Sequence, residues 1–304
     1  MGKPTLIIIA GPTSVGKTDI CIQLAEHFKT EIINCDSRQM FREMPVGSGC
    51  PDEAQLKQVK HHFIGNLSIH DYYNAGRYEE DVLKLLGELF INYQVIIVSA
   101  GSGLYLDAIT QGIDFMPEFN AGIREQLNAR FAEYGHEAML NELKQVDEQY
   151  YNQVDRNNIQ RVLRGLEVFY LTGRPYSEFR VKNHKVRDFG MIKICLQRER
   201  DELYQRIDAR VDAMISKGLE TEARYLYQFK NLVAAKTIGY REWFPYFDGL
   251  IAKDESIRLI KRNTRHLARR QITWFKSKKD FVGMDADNFN EILRYISKFK
   301  FDEL

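Results

Sequence analysis

Long apolar runs, paired cysteines and a strong net charge are all missing from this chain, and each gap closes off a class of function. No stretch of the 304 residues stays apolar for the roughly 20 positions that a membrane-spanning helix needs. The first apolar run, residues 6–10, passes straight into a glycine-rich turn and is too short for a secretory leader. Met1-Gly2 is followed by Leu6 where a myristoylation signal carries Ser or Thr, and the closing Phe301-Asp302-Glu303-Leu304 is no retention signal without secretion. The four cysteines, Cys21, Cys35, Cys50 and Cys195, show neither CxxC nor zinc spacing. They read as reduced thiols, so a cytoplasmic protein is expected. Formal net charge is only +1, and no global field announces a polyanionic partner.

What is present is dominated by one motif. Gly11-Pro12-Thr13-Ser14-Val15-Gly16-Lys17-Thr18 satisfies G-x-x-x-x-G-K-[ST] in full, with an apolar strand pattern before it and a helical pattern after it. Two glycines let the backbone curl so that its N–H groups point inward, and the helix N-terminus adds partial positive charge. Lys17 supplies a cation, and the Thr18 hydroxyl is a ligand for Mg²⁺ alongside phosphate oxygens. A tight turn before an ordinary core helix is the bland alternative. A di- or triphosphate is therefore the expected ligand.

Patterning predicts the rest of the architecture. Strands over 5–10, 31–34 and 94–99 alternate with helices over 17–28, 76–92 and from 104 onward, with a further short strand at 61–64. Alternation of this kind implies an α/β fold: a parallel sheet with helices on both faces and ligands at the strands' carboxyl ends. Asp36 and Ser102 both lie just past strand ends, as the phosphate loop does, so all three should converge in one crevice. Residues 117–180 carry only helical spacing, over 121–134, 137–146 and 157–171, and read as an all-helical insertion between a first core segment (1–116) and a returning segment (181–304). In that last segment a strand at 190–196, helices over 202–217, 254–275 and 288–299, and a strand near 281 are expected.

Several residues are candidates for chemistry. Asp36, beside a phosphate loop, can take a proton from a substrate nucleophile or serve Mg²⁺ through water; its bland role is to cap its own turn. The strand 94–99 ends in Ser99-Ala100-Gly101 with no acid, which weakens hydrolase readings and favours group transfer. His61-His62 would face opposite sides of a strand, which suits orienting roles better than chelation. Between residues 254 and 279 there are nine Lys/Arg against two acids, with Arg258, Arg262, Arg265 and Arg269 on one helix face. Gln160, Arg161 and Arg164 make a second basic cluster. Two such clusters on a neutral protein suit an extended polyanion, and nucleic acid is the natural one.

Taken together, the ordered motifs resemble the tRNA dimethylallyltransferase (tRNA isopentenyltransferase) family of bacterial type. The resemblance runs from the phosphate loop to Phe275. It is carried by Glu31-Ile32-Ile33-Asn34-Cys35-Asp36-Ser37-Arg38-Gln39, by Gly101-Ser102-Gly103-Leu104-Tyr105, and by Asn158 through Arg164 with Leu171-Thr172-Gly173-Arg174-Pro175. Ile238-Gly239-Tyr240-Arg241-Glu242 and Arg269-Arg270-Gln271-Ile272-Thr273-Trp274-Phe275 complete it. The resemblance implies transfer of a dimethylallyl group from dimethylallyl diphosphate to N6 of adenosine 37, beside the anticodon of tRNA. Residues 11–18 would hold the diphosphate with Mg²⁺, helped by Lys236 or Arg241. Asp36 would be the general base, and Ser102 stands where the family has Thr beside the reacting adenine. Asp36, Ser37, Arg38 and Gln39, together with Gln160, Arg161, Val162, Leu163 and Arg164, match tRNA-contacting segments, and Arg265, Arg269 and Arg270 are further tRNA candidates. A monomer acting on the anticodon stem-loop is expected. The competing readings are an enzyme prenylating free adenine nucleotides, a small-molecule kinase, and a non-catalytic tRNA-binding module.

Overall fold

The computed structural model describes residues 3–118, 120–181 and 184–299; Met1-Gly2 and the closing 301–304 tetrapeptide lie outside them. Met1–Thr110 with Arg187–Leu304 forms one compact unit, and Gln111–Val186 forms a second.

The first unit is built on a sheet of β1 (Thr5–Ala10), β2 (Ile32–Cys35), β3 (His61–His62), β4 (Val95–Ala100), β5 (Gly190–Gln197) and β6 (Val282–Asp285). All pairings are parallel and the strand order is β3-β2-β4-β1-β5-β6. Around it stand α1 (Lys17–His27), α2 (Glu53–Gln58), α3 (Ala75–Leu89) and α4 (Gly103–Thr110). The second unit contributes α5 (Ala121–Val146), α6 (Glu148–Gln153), α7 (Ile159–Thr172) and α8 (Tyr176–Phe179). After β5 come α9 (Arg200–Ser216), α10 (Leu219–Tyr227), α11 (Phe244–Phe247), α12 (Lys253–Lys276) and α13 (Phe289–Ile296).

The unbroken apolar run of β1 follows from burial on both faces. Ile7 and Ile9 pack with Ile20 and Leu24 of α1, Leu203 and Ile207 of α9, and Ile292 of α13. Leu6, Ile8 and Ala10 pack on the other side with Tyr78 and Val82 of α3 and Leu106 and Ile109 of α4. A third cluster joins Met44 to Val211, Leu219, Tyr240, Trp243 and Ile260, and holds the segment after β2 against α9, α10 and α12. Among the described residues no helix is long and apolar enough to cross a membrane.

The second unit is helical throughout its regular elements and spans more than the 117–180 expected for the insertion. Its core joins Leu127, Met139 and Leu143 of α5 to Val162, Leu163 and Leu166 of α7. The two helices expected over 121–134 and 137–146 are one element broken at Gly135, whose φ of 78° lies outside the helical region. At its centre Glu167, fully buried, receives Arg124 and, at 2.8 Å, Arg164.

Candidate active site

Strand register assembles the site. Ala100 is level with Ala10 on one side and with Cys35 on the other. Gly11, Gly101 and Asp36 are therefore each the first residue past their strands, side by side at the carboxyl edge of the sheet. Gly101 is a close fit there: a Cβ on it would stand 2.7 Å from Asp36 Oδ2. A cavity of about 430 Å³ opens at this edge, lined by Thr13, Lys17, Thr18, Asp36, Gln39 and Arg210 among others.

The phosphate loop has the backbone that its glycines allow. Gly11 and Gly16 take φ of 149° and 112°, and Ser14 sits at 64°. No side chain caps α1, and the amides of residues 16–19, all of which line the cavity, have no acceptor among the described residues. The Ser14 hydroxyl is buried without a hydrogen-bond partner. An anion bound in the cradle would satisfy such groups. Lys17 Nζ meanwhile donates to the loop's own carbonyls, Gly11 O at 3.0 Å and Pro12 O at 2.9 Å. Burial pushes its ammonium down to about 8, a shift that Asp36 opposes and Arg210 reinforces.

Two arginines absent from the sequence-based candidates complete the cationic wall. Arg206 and Arg210 lie one turn apart on α9 and both line the cavity. Arg206 Nε donates to Ser14 O at 3.0 Å, and Arg210 donates to Thr13 Oγ1 at 3.3 Å and Gly49 O at 2.8 Å. Their signal was present: the buried stripe Leu203, Ile207, Val211 is flanked by arginines spaced i, i+4. Lys236 and Arg241 are not among the cavity's lining residues. Lys236 is exposed, and Arg241 pairs with Glu242 at 3.0 Å.

Asp36 has two faces. Its Oδ1 accepts the Arg38 N–H at 2.9 Å, the turn-capping role, while Oδ2 has no hydrogen bond among the described residues and lies on the cavity side next to Gly101. Ser102 Oγ accepts the Ser37 N–H at 3.1 Å and stands 3.2 Å from Ser37 Oγ, so it secures the turn that carries Asp36. Gln39 lines the cavity and donates to Gly49 O at 2.9 Å. Burial lowers the Arg38 guanidinium's pKa, with Asp36 opposing.

The remaining candidates separate by exposure. Gln160 and Arg161 are exposed on α7, whereas Val162 and Leu163 are wholly buried and offer nothing to a partner's surface. Arg164 is held by Glu167 and by Pro117 O. On α12, Arg265 is tied to Asp208 at 2.5 Å, Lys261 to Asp212 and Arg258 to Glu255. Arg269 and Arg270 are exposed and have no ion pair among the described residues.

For a metal, Thr18 lines the cavity, and its hydroxyl has no hydrogen bond among the described residues. Those residues include no cluster of three or more His, Cys, Asp or Glu able to hold an ion alone. A metal bound here would therefore share its ligands with the phosphate ligand, which the Thr18 position fits.

A family model described as IPP transferase matches residues 39–278. The chain is 44% identical over 292 residues to a tRNA dimethylallyltransferase of Phocaeicola vulgatus, covering 96% of this chain and 97% of that protein. It is 47% identical over 272 residues to one of Porphyromonas gingivalis, covering 90% and 91%. The crystal structure of the full-length tRNA isopentenylpyrophosphate transferase of Bacillus halodurans is 31% identical, with a TM-score of 0.71 over 97% of this chain and 96% of that one. With its phosphate loop and acid-bearing turn set in a six-stranded parallel sheet, this chain belongs to the IPP transferase family, the tRNA dimethylallyltransferases.

Proposed function

We propose that this protein transfers a dimethylallyl group from dimethylallyl diphosphate to N6 of adenosine 37 in the anticodon loop of tRNA, releasing diphosphate. The observation that carries the reading is one cavity lined by Lys17, Arg206 and Arg210 together with Asp36, whose Oδ2 has no hydrogen bond among the described residues. Three cations suit a diphosphate ester, which carries about three negative charges at neutral pH, and a lone carboxylate suits an acceptor that must lose a proton.

The acceptor sets the division of labour. An exocyclic adenine amine is a weak nucleophile because its lone pair is delocalised into the ring, so the allylic C–O bond must ionise as the C–N bond forms. Charge grows on the leaving diphosphate, and preorganised donors placed where charge grows stabilise the transition state most. Lys17, the loop amides, Ser14 and Arg210 are those donors. Lys17 would swing from its loop carbonyls to the phosphate, exchanging neutral acceptors for an anion. Mg²⁺, held by Thr18 and diphosphate oxygens, would neutralise part of the same charge. Asp36 Oδ2 accepts the amine proton while Oδ1 keeps the turn in place.

A tRNA acceptor suits the exposed cations found on both units: Arg269 and Arg270 on α12, and Arg161, beside the polar Gln160, on α7. Phosphate contacts by such side chains position a nucleic acid. Ser37, Arg38 and Gln39 on the Asp36 turn are proposed to meet the target nucleotide, which must leave its stack to reach the cavity. The cavity's groups all come from one unit of one chain, which supports a monomer, and a tRNA acceptor suits a protein acting in the cytoplasm. The test is mass analysis of nucleosides after incubation with Mg²⁺, dimethylallyl diphosphate and unmodified tRNA. One added dimethylallyl group on the adenosine is expected.

A further inference from the structure

One side chain spans the donor and acceptor sides of the cavity. Gln271, near the end of α12, accepts the Thr13 N–H of the phosphate loop at Oε1, 2.9 Å away. Its Nε2 donates to Gly101 O, also at 2.9 Å. Gly101 is the residue packed on Asp36 Oδ2. The chain Thr13–Gln271–Gly101–Asp36 therefore links the loop that would hold the leaving group to the carboxylate that would take the proton. The amide's orientation is dictated by its partners, since a backbone N–H can only donate and a carbonyl can only accept.

The seat of Gln271 is itself built. A Cβ on Gly103 would come within 2.5 Å of the Trp274 ring, so α12 lies directly on the β4–α4 turn one helical turn from Gln271. Ala268 of the same helix is fully buried in the sheet cluster on the α1 and α9 side. The helix is thereby anchored on either side of the glutamine, and the amide enters the cavity wall rather than solvent.

We infer that Gln271 is a positioning residue: it sets the register between the diphosphate cradle and the Asp36 turn without itself touching the reacting atoms. This rests on the transfer reading above. Nothing else among the described hydrogen bonds joins the phosphate loop directly to the Gly101 turn. Misplacement of reacting groups by about 1 Å costs on the order of 100-fold in rate, so loosening this link should act on turnover rather than on diphosphate binding. A glutamate here would fail in a diagnostic way. As a carboxylate it accepts from Thr13 but repels Gly101 O; as a carboxylic acid it can accept at one oxygen and donate from the other.

The experiment uses the full chain with Mg²⁺, dimethylallyl diphosphate and unmodified tRNA, comparing wild type, Gln271→Ala and Gln271→Glu from pH 5.5 to 8.5. The expected result is a kcat lowered about 10- to 100-fold in both variants at pH 8, with KM for dimethylallyl diphosphate within about threefold of wild type. Relative to wild type at each pH, the Glu variant should recover as pH falls and the Ala variant should not. Hydrogen exchange at the Thr13 amide should quicken in Gln271→Ala while exchange in the β1 and β4 strands is unchanged. Variants matching wild-type turnover, a loss confined to KM, or a Glu variant whose deficit does not respond to pH would each overturn the role of Gln271 alone. A wild-type protein that leaves tRNA unmodified overturns the transfer reading instead, and the positioning role with it.

Discussion

Lys17 offers a quantitative test of how the phosphate loop is prepared for its ligand. Without ligand, burial holds its ammonium at about 8, well below the ordinary 10.5, because the charge of Asp36 only partly offsets lost hydration and Arg210 adds to the shift. A diphosphate would restore the favourable field and raise the value again, so binding above pH 8 takes up a proton. With a free value of about 8, Lys17 is about 90% charged at pH 7 and about 10% charged at pH 9. Affinity for inorganic pyrophosphate that depends on the ammonium should therefore fall about tenfold across that interval, since apparent affinity scales with the competent fraction. The assay is a pH titration of lysine side chains labelled with ¹³C at Cε, with Lys17→Met identifying the resonance. It should titrate near 8 in the free protein and stay charged beyond pH 9 when pyrophosphate and Mg²⁺ are added. A free midpoint near 10.5, or a midpoint that falls on adding pyrophosphate, would refute the reasoning.

Replacement of Asp36 by Asn keeps an oxygen for the Arg38 N–H and removes the base; single-turnover transfer should fall at least 10²-fold with thermal stability nearly unchanged. Arg210→Gln should weaken pyrophosphate binding roughly 10- to 100-fold, a charged contact being worth about 1.5–3 kcal/mol, whereas Lys236→Ala and Arg241→Ala, outside the cavity lining, should stay within about twofold by calorimetry. On α12, Arg269→Gln and Arg270→Gln should each reduce the salt dependence of tRNA binding by about one phosphate contact. Arg265→Gln should change it little, because Asp208 already occupies that guanidinium; filter binding across a salt series reads both.

Local features were legible in the sequence, and long-range ones were not. The phosphate loop, the Asp36 turn and the Gly101-Ser102-Gly103 turn each sit within a few residues of an apolar strand, so strand ends could be read directly and placed at one sheet edge. The capping role of Asp36 also follows from position, because a turn Asp caps its backbone with one oxygen and leaves the other free for the proposed chemistry. Arg206, Arg210 and Gln271 come from helices that follow the phosphate loop only after β5, and their reach into the cavity depends on helix seating that no local pattern records. Val162 and Leu163 lie in a segment named by resemblance, and their burial follows from the helical spacing of α7, which turns them inward as Gln160 and Arg161 turn out. The short helix α10 was missed, although Gly218 with φ 95° both ends α9 and opens it. The break in α5 at Gly135 falls between the two helices expected over 121–134 and 137–146.

The most direct measurement mixes purified protein with Mg²⁺ and dimethylallyl diphosphate and offers unmodified tRNA, AMP and ATP in parallel. Nucleosides are then weighed for an added dimethylallyl group, and ATP is followed for hydrolysis or phosphoryl transfer. This account predicts one dimethylallyl group on the adenosine at position 37 of tRNA and none on the free nucleotides. Mass gain on AMP with tRNA untouched, or ATP consumed with no prenyl transfer, would contradict it.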